Sequence, residues 1–182
     1  MGIIKKTFIG YWELCLFKKS PEDTPYSLVL LVTGVLALTF IMSLQWILSH
    51  FDFSGDLLLL FVAGLSLVVS FIAYTALILF FRRFITRFVQ TISCLLWVYA
   101  IVHALAMPLF VVDPYLVDAN LKNPFFLFIG VVYLFVTLGL SVWQFVITAH
   151  IYKHALNTTP VQSVLAAFGL LAVNILTLSF WR

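Results

Sequence analysis

Residues 57–81, LLLLFVAGLSLVVSFIAYTALILFF, run from end to end without a charged side chain and without any alternation of apolar and polar positions. A strand of a membrane barrel would need about ten residues of alternating polarity, one face to lipid and one to the lumen. This run is too long and too evenly apolar for that. A helix rises about 1.5 Å per residue and crosses about 30 Å of hydrocarbon in about 20 residues. Backbone groups inside a bilayer find no water, and a helix satisfies them within its own segment. The stretch therefore reads as a transmembrane helix.

Four further runs have the same character: 26–49, 88–112, 125–149 and 161–181. Between them lie "HFDFSGD", "RRFITR", "DPYLVDANLKNP" and "IYKHALNTTP", short segments rich in Pro, Gly, Asn, Asp or charge, as turns are. The composition agrees. Of 182 residues 64% are hydrophobic and 9% charged, against about 25% charged in soluble domains. A soluble chain of this size leaves too much surface in water to hide so many apolar groups. The predicted fold is all-α: a bundle of five transmembrane helices (26–182) preceded by a cytoplasmic interfacial segment (1–25). The first apolar run lies too far along and is too long for a removable signal peptide. The net charge of +3 comes from scattered basic residues with no stripe beside aromatics, so no nucleic-acid partner is expected.

Lysine and arginine set the direction. With the N-terminus on the side of the second and fourth loops, eight of the ten basic residues fall on that side: Lys5, Lys6, Lys18, Lys19, Arg82, Arg83, Arg87 and Lys153. Only Lys122 and Arg182 fall opposite. The positive-inside rule then places the N-terminus in the cytoplasm and the C-terminus outside. Aromatic rings fit this frame, with Tyr11, Trp12, Tyr26 and Tyr152 expected at the inner headgroup zone and Trp46, Tyr115 and Trp181 at the outer one.

The first 20 residues supply an amphipathic pattern. Ile4, Phe8, Tyr11, Trp12, Cys15 and Leu16 recur at helical spacing, with Lys5, Lys6, Lys18 and Lys19 placed to reach anionic lipid headgroups. In "KKSPEDTPYS" (18–27), Pro21 and Pro25 break that helix and turn the chain into the bilayer. Glu22 and Asp23 are expected to favour the start of the next helix.

Helices in lipid associate through small residues and interhelical hydrogen bonds. Inward faces are expected at Ala63, Ser66, Ser70 and Ala73, at Ala100 and Ala104, and at Gly130, Thr137 and Ser141. Pro108 should kink the third span near its outer end.

Chemistry is sparse. No span contains Asp, Glu, Lys or Arg, although intramembrane ionisable groups mark most proton relays and catalytic sites. No catalytic site and no enzyme activity are expected. His103 is the one titratable side chain deep in a span; a haem or metal ligand is weighed there against a neutral imidazole bonded to a neighbouring helix. No second histidine shares its depth, so the second reading is preferred and no cofactor is expected. His150 and His154 have the i, i+4 spacing of a zinc pair but lack a third ligand. Gln45, Gln90, Gln144 and Asn174 stand one per helix at differing depths and read as interhelical glue. Cys15 and Cys94 read as buried and inert.

The length, the five closely spaced spans and "PEDTPYS" before the first of them resemble small bacterial inner-membrane proteins of the Yip1-like group. "DTPY" at Asp23–Tyr26 is a counterpart of the D-L-Y-G-P sequence of eukaryotic members; that sequence itself is absent, so no trafficking role is carried over. The resemblance implies a non-enzymatic protein of the bacterial inner membrane that organises lipid or partner proteins. The expected function is a membrane-organising or accessory subunit acting through helix–helix and lipid contacts, with a membrane protein partner or a second copy of itself. The alternative is a small transporter component or substrate-binding membrane subunit. The candidate functional or packing positions are His103, Gln144, Asn174, Asp23, Lys5, Lys6, Lys18 and Lys19.

Overall fold

A computed structural model of the chain describes residues 3–49, 57–117 and 123–181, with side-chain surroundings from Thr7 onward. Helix α1 spans Ile3–Cys15, α2 Leu28–Leu48, α3 Leu57–Phe81, α4 Phe88–Val117, α5 Pro124–Ala155 and α6 Pro160–Phe180. Helices α2 to α6 are long and apolar enough to cross a membrane. Three of them start on a side-chain cap that satisfies an otherwise unpaired backbone N–H. The Ser27 hydroxyl accepts from Leu30 N, the Asn123 amide oxygen from Phe125 N, and the Thr159 hydroxyl from Gln162 N. Pro124 and Pro160 occupy first-turn positions, where no N–H is missed.

Side-chain contacts fix the helix directions. Along α2 and α4, Leu30 meets Trp97 and Gln45 meets His103, so the two run parallel. Along α3 and α6 the partners run in opposite order: Ser66 with Trp181, Ser70 with Thr177, Tyr74 with Ala166, Arg82 with Gln162. Those helices are antiparallel. The bonds between Arg87 and Glu22, between Arg87 and the His154 carbonyl, and between His150 and the Lys19 carbonyl gather residues 19–24, 82–90 and 150–160 at one end of the bundle.

That end carries most of the core. All ten buried residues of α4 lie between Thr91 and Val102, and all six of α5 between Ile147 and Ala155. Helix α1 closes over them. Tyr11, Leu14 and Cys15 are buried, Tyr11 stacks on Trp97 at 5.8 Å, and the Trp143 indole donates to the Cys15 carbonyl.

Several expectations change against this arrangement. The apolar side of α1 divides: Tyr11 and Cys15 turn into the bundle together with Leu14, whereas Phe8, Trp12 and Leu16 stay exposed. The surroundings of Ile4, Lys5 and Lys6 lie outside the described residues, as do His50, Asp52, Asp56, Asp118, Lys122 and Arg182. Tyr11 and Tyr152, read as headgroup-zone rings, are core residues at 2% and 0% exposure. Tyr152 is drawn in by a 2.9 Å bond to the Thr75 hydroxyl. Glu22 and Asp23 do not serve the next helix. Asp23 accepts from Ser20 N at 3.0 Å within the 3₁₀ turn Pro21–Asp23, and Glu22 pairs with Arg87 at 2.8 Å.

Helix α4 continues past its expected end at Val112, through both Pro108 and Pro114. Each proline removes one backbone donor, but the Tyr133 hydroxyl donates to Asp113 at 3.0 Å and ties the extension to α5. Helix α5 likewise runs on to Ala155 rather than stopping near Ala149, because Ile151, Tyr152 and Ala155 are buried.

The small-residue faces are partly rotated. Ala63 and Ala100 are buried, and Ser66 and Ser70 face α6, but the row continues through Tyr74 and leaves Ala73 exposed. Ala104 and Ser141 are exposed, and a Cβ added at Gly130 would meet nothing within 4 Å. Close approach is made instead at Gly34 against Leu96 and Trp97, and at Gly169 against the Tyr74 hydroxyl.

Candidate functional site

Near the middle of the bundle, α2 reaches across to α4 through one buried side chain. The Gln45 amide, 2% exposed, donates through Nε2 to the His103 carbonyl at 2.7 Å, and its Oε1 lies 2.9 Å from His103 Nδ1. With the amide nitrogen committed to a carbonyl, the oxygen can only accept. His103 Nδ1 therefore carries the proton and Nε2 keeps its lone pair. One glutamine sets both the position and the tautomer of the imidazole.

His103 lines a cavity of about 250 Å³ bounded by all five long helices. Its polar lining comes from Tyr99 and His103 on α4, Ser141, Gln144 and Thr148 on α5, and Asn174 on α6. The Thr148 hydroxyl donates to the Gln144 carbonyl at 2.8 Å and lies 3.3 Å from the Tyr99 hydroxyl. Ser141 back-bonds to the Thr137 carbonyl at 2.8 Å. Neither Asn174 nor His103 Nε2 has a hydrogen-bond partner among the described residues. The remaining wall is apolar, from Leu38, Leu67, Phe71, Phe145, Leu171 and Ile175 among others.

A smaller cavity of about 120 Å³ shares His103, Ser141 and Gln144 and continues along α4 and α5 towards Tyr133. The two meet at His103, Ser141 and Gln144, and the polar lining of the smaller one adds Tyr133 and Thr137.

Of the sequence candidates, His103, Gln144 and Asn174 thus meet at one cavity, which their separation along three helices concealed. Gln45 belongs to the same site as its positioning residue. Gln90 does not: it donates to the carbonyls of Glu22 and Thr24 at the packed end. Asp23, Lys18 and Lys19 lie at that end as well. Lys19 pairs with Glu13 at 2.7 Å, and Lys18 is exposed. The site residues missed in the sequence are Tyr99 and Thr148. Their signal was periodic: Tyr99 precedes His103 by four, and Ser141, Gln144 and Thr148 follow at helical spacing on α5.

The remaining titratable groups form no second site among the described residues, and no group of three His, Cys, Asp or Glu stands close enough to share a metal ion. The His150 and His154 rings lie 4.6 Å apart, with His150 directed at the Lys19 carbonyl. Cys15 and Cys94 are free and buried. In α1, outside the long helices, burial pushes the Cys15 thiol up to about 12, which keeps it protonated and unreactive.

The central arrangement can therefore donate and accept hydrogen bonds in an apolar setting, and it contains no charge. Comparison of the chain with protein-family models, curated proteins and solved structures finds no match.

Proposed function

We propose that this chain is a non-enzymatic multi-pass membrane protein that organises lipid or a protein assembly through helix–helix contacts, as a Yip1-like accessory subunit of a bacterial inner membrane would. One observation carries this reading. From His103 onward on α4 and up to Val146 on α5, neither helix has a buried residue, although both remain helical and apolar. Helices of 30 and 32 residues measure about 45 Å and about 48 Å at 1.5 Å per residue. That exceeds a hydrocarbon core of about 30 Å. Much of the outer surface of this stretch is left uncovered by its own bundle, and Gly130 and Gly139 on it have open space where close helix approach is possible.

In this reading the packed end faces the cytoplasm. Lys18, Lys19, Arg82, Arg83, Arg87 and Lys153 cluster there, which suits an anionic inner leaflet. Helix α1 then lies at the interface with Phe8, Trp12 and Leu16 towards lipid. A C-terminal reporter should be active only outside the cytoplasm. Gentle extraction from native membranes should yield a complex, hetero-oligomeric or self-associated, that Gly139→Leu disperses. A monomer with no associated protein, unchanged by Gly139→Leu, would contradict the proposal.

A second reading, a substrate-binding membrane subunit, is favoured by the cavity at His103, Gln144 and Asn174.

A further inference from the structure

We infer that the central cavity binds the head of an uncharged, hydroxyl-bearing lipid that enters sideways from the bilayer between α5 and α6. The inference rests on the second reading above and names its ligand class.

The lining decides the charge. Tyr99, His103, Ser141, Gln144, Thr148 and Asn174 supply hydrogen bonds, and no Lys, Arg, Asp or Glu joins them. A phosphate or carboxylate placed here would lose its hydration without gaining a counter-charge, which disfavours ionised heads strongly. The tautomer decides the functional group. Gln45 accepts from His103 Nδ1, so Nε2 presents a lone pair and asks for a donor. The Asn174 amide, with no partner among the described residues, can both donate and accept. A hydroxyl does both in return: it donates to Nε2 and accepts from an amide N–H. A ketone or quinone carbonyl would leave Nε2 unmet, at the cost of a buried acceptor.

Size and shape decide how the ligand sits. About 250 Å³ falls below the roughly 300–1,000 Å³ that enclose whole small molecules. A head with its first few carbons fits; a long chain does not. Leu171 and Ile175 on α6 and Ser141 on α5 line the cavity and are also exposed on the outer surface of the bundle. The mouth therefore opens to the side, where lipid tails would lie, and Phe145 packs on Phe168 at 4.6 Å beside it. The apolar tail remains in the bilayer while the hydroxyl reaches His103.

The test uses the full chain in phosphatidylcholine nanodiscs with dioleoylglycerol carrying a diazirine near the carbonyl end of one acyl chain. Adducts should concentrate on Phe145, Leu171 and Ile175 over the exposed Leu58 and Phe61 of α3. Unlabelled dioleoylglycerol should compete, and phosphatidic acid should not. Asn174→Leu and His103→Phe should each lower labelling at these positions by about tenfold, the scale of one lost hydrogen bond in an apolar site. Leu171→Trp, which fills the mouth from a position outside the polar set, should abolish it while the weaker labelling of Leu58 and Phe61 is unchanged, which a variant that fails to fold would not show. Equal competition by phosphatidic acid, or labelling at the mouth indifferent to Asn174 and His103, would overturn the ligand class and leave a ligand-binding subunit standing. Labelling no stronger at the mouth than on α3, and unmoved by Leu171→Trp, would overturn both.

Discussion

The two halves of the α4–α5 hairpin stand in opposite circumstances. Near the N-terminal corner, Thr91–Val102 and Ile147–Ala155 hold every buried residue of the two helices, packed by α1, α2 and the two 3₁₀ turns among others. Beyond His103 and before Ile147 the same helices, still largely apolar, have no buried residue. Hydrophobicity alone therefore does not say which part of a membrane helix is core. What distinguishes the packed half is its supply of specific links: Glu22–Arg87, Gln90 to the Glu22 and Thr24 carbonyls, Trp97 to Leu30. In lipid, where apolar side chains gain little by leaving their surroundings, such links and close packing decide where helices meet.

The largest expected contrast comes from shortening one leucine in each half. Leu95 is fully buried and Leu134 is 63% exposed. Leu95→Ala should lower stability by about 2–5 kcal/mol through the cavity it leaves. Leu134→Ala should stay within about 0.5 kcal/mol. Detergent-titrated unfolding of the two variants measures both. Equal losses would mean that the distal half is packed after all, and the comparison would break.

A glycine pair sharpens the same contrast. At Gly169 a Cβ would overlap the Tyr74 hydroxyl, which donates to the Ala166 carbonyl at 2.9 Å. Gly169→Ala should cost about 1–3 kcal/mol by overpacking and displace that hydroxyl. At Gly139 a Cβ would meet nothing within 4 Å, so Gly139→Ala should hold or gain stability in the isolated protein, since alanine favours helix by about 1 kcal/mol. The same change should weaken the proposed partner contact, which no loss of stability could then explain.

The smallest effect concerns charge. Arg87 and Glu22 form an ion pair whose side chains are 37% and 54% exposed, a setting in which such pairs contribute about 0.2–1 kcal/mol. Arg87→Gln also loses a charged donor to the His154 carbonyl. Its destabilisation should be modest and should shrink as salt is added, because screening acts on the ion pair. A loss as large as that of Leu95→Ala, and abolished by salt, would show that the corner is held by charge rather than packing.

The five long helices were legible because spanning length and uniform hydropathy are properties of the chain itself. Their ends were less so. Asp113-Pro114 reads as a breaker until Tyr133 is known to reach it, and Tyr152 reads as interfacial until Thr75 is known to face it. The cavity was hardest. Sequence gives a residue's position along a helix, but its rotation about the axis and the tilt of neighbouring helices come from packing. Gln45 and His103 stand 58 residues apart, and nothing local announces their pairing. Asn174 reaches the same cavity from a third direction. Helix α1 shows the reverse error: its periodicity suggested one apolar side towards lipid, and packing divided that side between lipid and core.

The central claim is that the unburied half of the hairpin is a protein-contact surface. Photo-crosslinking amino acids placed at Phe135 and Gly139 on α5, and at Leu36 and Phe40 on α2, test it most directly in native membranes. Leu36, Phe40 and Phe135 are all well exposed at 59%, 65% and 67%, so lipid access is matched. Protein adducts, to a second copy or another membrane protein, are expected from the α5 positions and only lipid adducts from α2. Lipid adducts alone from all four positions would contradict the claim.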